Sequence, residues 1–396
     1  MDALSTPIVA AKASTQVPAL QPIVQRLVSL IQSRGWQKPF ELAIRTARSH
    51  DVPGLRGIHS ISDYLEFINQ LVTWAPRERG DSRHINDNLA RFYFFLDQEP
   101  LKALQSPILP NGRRSALTPL SEWIVEFARA WGSYLDTAES AAKIESFRTD
   151  PVFNWDEYMP PPSGYKTFNQ FFARHVKPGM RPVAAIVDDA IVVAPADSTF
   201  VGWWQVSQNS NIRVDESKLS IKGIEWSIHQ LLEGSAYADR FRGGIFTHSF
   251  LDTFDYHRWH APVRGKVLEA MVLQGQAYLD VTVRSALIEG RAVNVLDTPD
   301  GTGYQFVQTR GVIVIESPIG LVACLPMGMA QVSSVVITAE VGVSLQKGEE
   351  LGYFQFGGSD FVMVFERSSN VSLLGQPGVH VQQGSHVGDA YPVLPM

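Results

Sequence analysis

Apolar residues recur at every third or fourth position in several stretches of the first 150 residues, which is the spacing of amphipathic helices. The stretches are residues 22–34, 63–74, 89–96 and 118–135. Gly35 ends the first stripe, and Pro119 stands at the first-turn position that proline favours. The pattern predicts a helical N-terminal module over residues 17–160, preceded by a mobile Ala/Ser-rich segment over residues 1–16.

The stripe over residues 22–34 fits two uses. Ile23, Leu27, Leu30 and Ile31 lie on one side of the predicted helix. Such a face binds either a membrane surface or neighbouring helices, and packing against helices is the favoured interpretation. The module as a whole is predicted to have a packing role, and covering the mouth of an active site is the alternative role.

The pattern changes after Pro160-Pro161-Pro162, which cannot continue a helix. Thr167 and Gln170 form a capping-box pattern at the start of a Phe-rich helix that runs to Arg174. Beyond it, short β-branched runs alternate with Gly, Pro, Asp and Asn, which is typical of strands joined by turns. The chain is therefore predicted to be α+β, with a mostly antiparallel, β-rich domain over residues 161–396.

Gly357-Gly358-Ser359 is the most informative local feature of this domain. Two glycines at a corner permit a strained peptide whose carbonyl is open to the hydroxyl of Ser359. The alternative is an ordinary turn between two strands. Serine is a poor nucleophile unless a base takes its proton, so the catalytic interpretation requires a histidine and an orienting carboxylate elsewhere.

His257 and His260 are the candidate imidazoles, and Asp197 is the candidate carboxylate. Pro262 argues against a helix at the histidine pair, so the two rings are expected to point to different sides and to serve different steps. No metal site is assigned, because the sole cysteine, Cys324, lies in an apolar run and further ligands at recognisable spacing are missing. Taken singly, these residues also fit a turn aspartate and structural histidines.

Composition narrows the choice of function. The chain has 396 residues, 45% of them hydrophobic, and a net charge of -6, which allows a large core and does not favour a nucleic-acid partner. One cysteine excludes an intramolecular disulfide framework. The N-terminus has no long apolar core and no window approaches a spanning helix, so we expect a cytoplasmic protein without an integral membrane segment.

Four motifs stand in the order found in phosphatidylserine decarboxylases, and residues 150–390 resemble that family. The motifs are Phe168–Arg174 followed by Lys177–Pro182, the Pro195-Ala196-Asp197 segment, the segment Asp255–Pro262, and Gly357-Gly358-Ser359. The chain is similar to the soluble branch that includes fungal L-tryptophan decarboxylases. One position departs from the family, because Asp360 stands where lipid decarboxylases commonly have threonine.

The resemblance implies a proenzyme that cuts itself between Gly358 and Ser359. His260, held by Asp197, would take the proton of Ser359, whose oxygen attacks the carbonyl of Gly358. Elimination would then split the ester into two partner fragments, residues 1–358 and 359–396. The former Ser359 would become dehydroalanine and, after hydrolytic loss of ammonia, an N-terminal pyruvoyl cofactor. No added cofactor is required.

The same resemblance implies that the pyruvoyl group forms a Schiff base with an amine and accepts the electrons released with carbon dioxide. His257 is the candidate for supporting decarboxylation or protonation. His248, Phe250 and Trp259 are candidate substrate-binding residues. The predicted substrate is a small soluble aromatic amino acid, with L-tryptophan giving tryptamine as the leading case.

Two alternatives remain open. The first keeps the chemistry and makes phosphatidylserine the substrate, with phosphatidylethanolamine as the product. The second is a hydrolase that uses Ser359, His260 and Asp197 without cutting itself, or a binding protein without chemistry.

Overall fold

The computed structural model describes residues 19–78, 84–109, 116–212, 226–288, 290–298, 304–328, 334–356 and 359–393. The predicted N-terminal segment 1–16 and the glycines of the predicted cleavage site, Gly357 and Gly358, lie outside the described residues. Helices dominate the first 172 residues, and a mostly antiparallel set of strands follows. The predicted α+β class is therefore confirmed.

The helical region is held together by one aromatic core. Phe92 stacks on Phe127 with ring centroids 4.7 Å apart and on Trp123 at 6.0 Å, and all three side chains are fully buried.

The α-helices of the described residues, α8 in the sheet-rich region included, are α1 (Pro22–Arg34), α2 (Gln37–Ser49), α3 (Ile61–Leu71), α4 (His84–Leu96), α5 (Pro119–Leu135), α6 (Glu145–Arg148), α7 (Phe168–Phe172) and α8 (Ile228–Leu231).

Local sequence signals fix the ends of these helices. Gly35 adopts a left-handed backbone (φ 67°) at the end of α1, which is the conformation that glycine tolerates best at a helix C-terminus. Thr118 caps α5 by accepting a hydrogen bond from the amide of Ser121, and Thr167 caps α7 by accepting from the amide of Gln170. The apolar face of α1 packs on α5, where Trp123 Nε1 donates to the Ile23 carbonyl at 2.9 Å.

The sheet-rich region is built on an eight-stranded sheet with the order β13-β7-β10-β11-β15-β5-β2-β17. All of its strand pairings are antiparallel. The strands are β1 (Ile191–Val193), β2 (Ser198–Gln205), β3 (Asn211–Ile212), β4 (Trp226–Ser227), β5 (Ile245–Leu251), β6 (Arg258–His260), β7 (Gly265–Leu273), β8 (Thr282–Ile288), β9 (Arg291–Asp297), β10 (Arg310–Ser317), β11 (Gly320–Gly328), β12 (Val335–Ile337), β13 (Ser344–Leu345), β14 (Glu350–Phe354), β15 (Ser359–Phe365), β16 (Val371–Leu373), β17 (His380–Val381) and β18 (His386–Ala390).

Strand β15 is central to this sheet, and every one of its residues is buried. Its side chains alternate between two hydrophobic clusters: Phe361, Met363 and Phe365 belong to one, whereas Val362 and Val364 belong to the other. The first cluster also contains the core of the helical region. The strand therefore separates two packed layers and brings its first residue, Ser359, to the layer shared with the helices.

Smaller sheets complete the region. Strand β6 pairs with β14, which pairs with β12, and β18 lies between β1 and β16. The described part of the chain holds no helix that is both long and apolar enough to cross a membrane.

Candidate active site

Ser359 begins strand β15 and lies opposite Leu251 of β5 and Gly328 of β11. Its side chain is fully buried, and within the described ranges its Oγ has no hydrogen-bond partner. Burying a hydroxyl without a partner costs on the order of 1–3 kcal/mol, so such positions are uncommon unless the group has a use. The hydroxyl of Ser359, the predicted nucleophile, is thus buried in the core and makes no hydrogen bond to another described residue.

His257 is fully buried and stacks on Phe172 of α7, with ring centroids 3.9 Å apart. Neither ring nitrogen makes a hydrogen bond to another described residue. The pKa of His257 is lowered well below its ordinary value, mainly by burial and to a smaller extent by the nearby charge of Arg174. The backbone of Asp252 and Asp255 raises the pKa and so offsets a part of this shift. The imidazole is therefore neutral near pH 7 and carries one free basic nitrogen.

His260 lies at the end of β6, and both of its ring nitrogens have partners. Nδ1 is 2.9 Å from the carbonyl of Gly348, and Nε2 is 3.2 Å from the hydroxyl of Tyr256. A carbonyl only accepts, so Nδ1 carries the proton and Nε2 is the basic nitrogen. Burial lowers the pKa of His260, which keeps the ring neutral. The backbone carbonyl thus sets the tautomer that a general base requires.

Asp197 does not hold the ring of His260. Its carboxylate accepts from Arg181 Nε at 2.8 Å and from Nη2 at 2.6 Å, and it also accepts from the amide of Gln383 at 2.8 Å. The expected hydrogen bond between Asp197 and His260 is therefore absent. A guanidinium offers a carboxylate two parallel charge-assisted bonds, which a neutral imidazole cannot match.

The segment that carries Asp197 nevertheless lies against His260. The backbone amide of His260 donates to the carbonyl of Pro195 at 2.7 Å. The sequence did not indicate Arg181 as the partner of Asp197, although Arg181 lies in the Lys177–Pro182 motif. Tyr256, which contacts Nε2 of His260, was also missed, and its position four residues before the histidine was the available signal.

Asp360 forms a buried pair with His248. Asp360 Oδ1 lies 2.6 Å from His248 Nε2, and both side chains are almost completely excluded from solvent. The ring of His248 also meets the edge of Phe306, with centroids 5.6 Å apart. Asp360 Oδ2 is buried without a hydrogen-bond partner in the described segments. The residue that departs from the family pattern is thus accommodated by a histidine on the adjacent strand β5.

Helix α7 organises the segment that leads to the predicted cleavage site. Asn169 Oδ1 accepts from the amide of Phe356 at 3.3 Å, while its Nδ2 donates to Asp136 Oδ1 at 2.9 Å. Phe356 also packs against Phe172, with ring centroids 5.6 Å apart. The stretch before Gly357 is therefore tied to both α7 and the end of α5.

Arg174, just beyond α7, fixes the loop that carries His257. Its Nη2 donates to the carbonyls of Phe254 at 2.7 Å and Asp255 at 3.1 Å. Its guanidinium lies 4.0 Å above the ring of Tyr158. The Phe-rich motif thus provides both the stacking partner of His257 and the anchor of its loop.

The remaining predicted substrate-binding residues occupy different surroundings. Trp259 is fully buried between Phe354 and Phe361, with centroids 5.8 and 6.3 Å away, so it packs in the core. Phe250 is half-buried and lies opposite Asp360 in the strand register. Of these residues, His248 contacts Asp360, Phe250 is its cross-strand neighbour in register, and Trp259 lies apart from both.

Comparison with known proteins identifies the family. A model described as phosphatidylserine decarboxylase matches residues 168–389, which is more than half of the chain. The chain belongs to the phosphatidylserine decarboxylase family. The predicted membership of this decarboxylase family is confirmed, and helices α1 to α6 precede the matched region.

Individual relatives include proteins named for a lipid and for an amino acid. Phosphatidylserine decarboxylase proenzyme 3 of Schizosaccharomyces pombe is 34% identical over 59% of this chain and 22% of its own length. A phosphatidylserine decarboxylase proenzyme of Fusobacterium nucleatum is 29% identical over 64% of this chain and 75% of its own length. An L-tryptophan decarboxylase of Psilocybe cyanescens is 28% identical over 64% of this chain and 59% of its own length. The chain thus spans only a part of its longer relatives.

Proposed function

We propose that this protein is a self-processing, pyruvoyl-dependent decarboxylase that acts on a soluble aromatic L-amino acid, with L-tryptophan as the leading substrate. The observation that carries the proposal is Ser359, a buried serine with an unpartnered hydroxyl at the start of a central strand, directly after two glycines. Membership of a decarboxylase family supports it. Relatives whose names include the word proenzyme support a processing step.

In the proposed processing step, the Oγ of Ser359 attacks the carbonyl carbon of Gly358. The bond from that carbon to the nitrogen of Ser359 breaks, the proton of the hydroxyl passes through the base to that nitrogen, and an ester and a free amine replace the amide. His260 suits the role of base, because its Nε2 carries no proton and can accept one. Its lowered pKa also keeps the ring neutral at pH values below the ordinary histidine pKa. Tyr256 occupies that nitrogen, so its hydroxyl is a candidate relay for the proton.

Asp197 is assigned a positioning role through the main chain and through Arg181. Its carboxylate orders the Arg181 guanidinium, which also contacts Glu157 at 2.8 Å, and it binds the amide of Gln383. These contacts hold the loop from Pro195 against the backbone of His260. The residue thereby acts on the candidate base without touching its ring.

The surroundings of Ser359 fit a pyruvoyl group. Its hydroxyl is buried and has no hydrogen-bond partner among the described residues, so converting the serine to a pyruvoyl group breaks no side-chain hydrogen bond there. Two glycines precede it in sequence. When present, a pyruvoyl group supplies an electrophilic carbonyl that takes up the electrons released with carbon dioxide. His257 is the residue assigned to proton transfer at the substrate carbon. Its neutral ring has a free basic nitrogen, and the aromatic contact with Phe172 excludes water from one side.

Phosphatidylserine is the second candidate substrate. The relatives from Schizosaccharomyces pombe and Fusobacterium nucleatum carry its name, whereas the relative from Psilocybe cyanescens is named for L-tryptophan. We favour the amino acid because the chain is similar to the L-tryptophan decarboxylase of Psilocybe cyanescens over 64% of its length.

Release of carbon dioxide from carboxyl-labelled substrates tests the proposal directly. The purified protein is incubated separately with L-tryptophan, L-tyrosine, L-phenylalanine and vesicles containing phosphatidylserine, with Ser359→Ala as the control. The proposal expects release from an aromatic amino acid and none from Ser359→Ala. Release from phosphatidylserine alone would establish the lipid alternative, and no release from any substrate would overturn the proposed activity.

A further inference from the structure

A cavity of about 370 Å³ lies where α5 meets the segment that precedes the predicted cleavage site. Its walls include Ala128, Trp131, Gly132 and Leu135 of α5, together with Asn169 of α7 and Phe356. The cavity is therefore formed jointly by the helical module and the family-matched region. Its volume is at the small end of the range for ligand-binding pockets.

Phe356 connects this cavity to the candidate catalytic imidazole. On the cavity side its ring meets the edge of Trp131, with centroids 5.2 Å apart. On the other side it meets Phe172 at 5.6 Å, and Phe172 stacks on His257 at 3.9 Å. Phe356 thus contacts both the cavity and the ring that stacks on His257, and it precedes Ser359 by three residues in sequence.

We propose that this cavity receives the aromatic side chain of the amino-acid substrate, with helix α5 as the wall that determines specificity. This inference rests on the proposed function and names the part of the molecule that selects the substrate. It gives the helical module a role in recognition as well as in packing.

The chemistry of the walls suits an aromatic ring with a polar edge. Trp131, Leu135 and Phe356 provide apolar contact, and aromatic rings prefer the edge-to-face arrangement that Trp131 and Phe356 already show. Asp136, Gln355 and Ser334 also line the cavity and supply oxygen acceptors for an indole N–H or a phenol hydroxyl. A diacyl phospholipid would have to leave its acyl chains outside a space of this size.

Processing would release Phe356 from its covalent tether to Ser359. Before cleavage, the chain continues from Phe356 through two glycines into the central strand β15. After cleavage, Phe356 would lie two residues from the free chain end at position 358, and its own contacts would be the hydrogen bond to Asn169 and the packing against aromatic rings. The ring of Phe356, which separates the cavity from Phe172 and His257, would then be free to move when substrate enters.

Gly132 provides a test that spares the packing of α5. A Cβ added at Gly132 meets no heavy atom within 4 Å, and replacing a helical glycine by alanine improves helix propensity. Gly132→Leu places an apolar side chain in the cavity, whereas Gly132→Ala adds only a methyl group. We expect kcat/KM for L-tryptophan to fall at least 10-fold in Gly132→Leu and to change less in Gly132→Ala.

Two controls accompany this series. The fraction of cleaved chain should equal that of the wild type in every variant, which shows that processing is intact. Glu122→Leu adds a leucine to an exposed position of α5 outside the cavity lining and should leave kcat/KM unchanged. An unchanged kcat/KM in cleaved Gly132→Leu would overturn the assignment of the cavity.

Chemical protection gives a second measurement that does not depend on turnover. Ser133 lines the cavity and is exposed, whereas the sole cysteine, Cys324, is completely buried. Ser133→Cys therefore introduces one accessible thiol. Tryptamine should slow alkylation of that thiol at least 5-fold, and ethanolamine should not. Ser29→Cys on α1 is the matched control, and its alkylation should be insensitive to tryptamine.

The outcomes separate this inference from the proposed function. If the wild type releases no carbon dioxide from any amino acid, the proposed function fails before any variant is made. If the wild type acts on L-tryptophan but tryptamine does not protect the thiol of the Ser133→Cys variant, the cavity assignment alone is wrong. The thiol measurement also decides the case in which Gly132→Leu does not fold.

Discussion

Ser359 and Asp360 are adjacent in sequence but face opposite layers of the molecule. Ser359 shares a face with Phe361, within the layer that also contains the helical core, whereas Asp360 shares a face with Val362 and lies against His248. A strand that alternates sides separates the candidate nucleophile from the neighbouring carboxylate. The charge of Asp360 is thus directed away from the hydroxyl that is expected to react.

The buried pair of Asp360 and His248 should behave as a coupled unit. Asp360→Ala leaves the buried His248 Nε2 without its hydrogen-bond partner, which we expect to cost about 1–3 kcal/mol of unfolding free energy. Combining it with His248→Ala should cost less than the sum of the two single changes, by at least about 1 kcal/mol. Denaturant unfolding in a Ser359→Ala background measures this, and strictly additive losses would contradict the pairing.

The lowered pKa of His257 predicts a pH dependence of stability. In the unfolded chain the imidazole takes up a proton near its ordinary value of 6.5, whereas burial keeps it neutral in the folded state. The unfolded state therefore binds more protons below pH 6.5, and stability falls as the pH decreases through that value.

His257→Phe should remove this contribution, because phenylalanine stacks on Phe172 and cannot be protonated. In a Ser359→Ala background, we expect Tm to fall less between pH 7.5 and 5.5 when His257→Phe is present. His59→Phe, at an exposed position, is the control and should leave the fall in Tm unchanged. An equal fall in Tm with and without His257→Phe would show that His257 is not held neutral by burial.

Sequence motifs identified the candidate catalytic residues, but they did not identify all the side chains to which those residues are hydrogen-bonded. Ser359, His257 and His260 were named from sequence, and the structure buries Ser359 and His257, half-buries His260 and keeps both histidine rings neutral. The pairing of Asp197 with Arg181 was not predicted, because a contact between separate segments depends on how the strands cross. Whether the Asp197 carboxylate binds an imidazole or a guanidinium depends on which group the fold brings within hydrogen-bond distance, and amino-acid composition does not contain that information.

At the scale of secondary structure, capping signals and apolar periodicity were sufficient for several helices. The predicted bounds agree closely for α1 and α5, where glycine or threonine marks an end. Helix α2 was missed: its N-cap residue is Trp36, whose side chain makes no capping hydrogen bond, so the local signal was weak. The β-branched runs beyond the Phe-rich helix predicted strands joined by turns, but the order of these strands in the sheets depends on long-range pairing.

Helix α7 is expected to control the rate of processing through Asn169. Its amide joins the end of α5 to the amide of Phe356, and a small displacement of a reacting group is sufficient to slow a positioned reaction strongly. We expect Asn169→Ala to slow self-cleavage about 10-fold. The time course of the cleaved fraction after synthesis measures this.

Asn88→Ala is the matched control for that change. The amide of Asn88 donates to the carbonyl of His84 within α4, away from Phe356, so cleavage should proceed at the rate of the wild type. Equal rates in Asn169→Ala and Asn88→Ala would show that the link to Phe356 does not position the reacting bond.

At the scale of the whole molecule, the two predicted fragments are interleaved. Strand β15 belongs to residues 359–396 but lies between β11 and β5 of the larger fragment. The smaller fragment also pairs β17 with β2 and β18 with β1. Cleavage at the start of β15 would therefore leave the sheet hydrogen bonds in place.

We expect the fragments to remain associated without a covalent link. With one cysteine in the chain, no intramolecular disulfide can join them. Size-exclusion chromatography under native conditions should give one species that contains both fragments, and denaturant should separate them as the secondary structure unfolds. Loss of the smaller fragment in native buffer would contradict the interleaved arrangement.

Intact mass of the purified protein tests the central claim most directly. Self-processing predicts two chains, residues 1–358 and a second chain from 359 to 396 whose N-terminus is a ketone and reacts with a hydrazine. Ser359→Ala should give a single chain. A wild-type protein that is fully active as one unmodified 43.9 kDa chain would contradict the pyruvoyl mechanism.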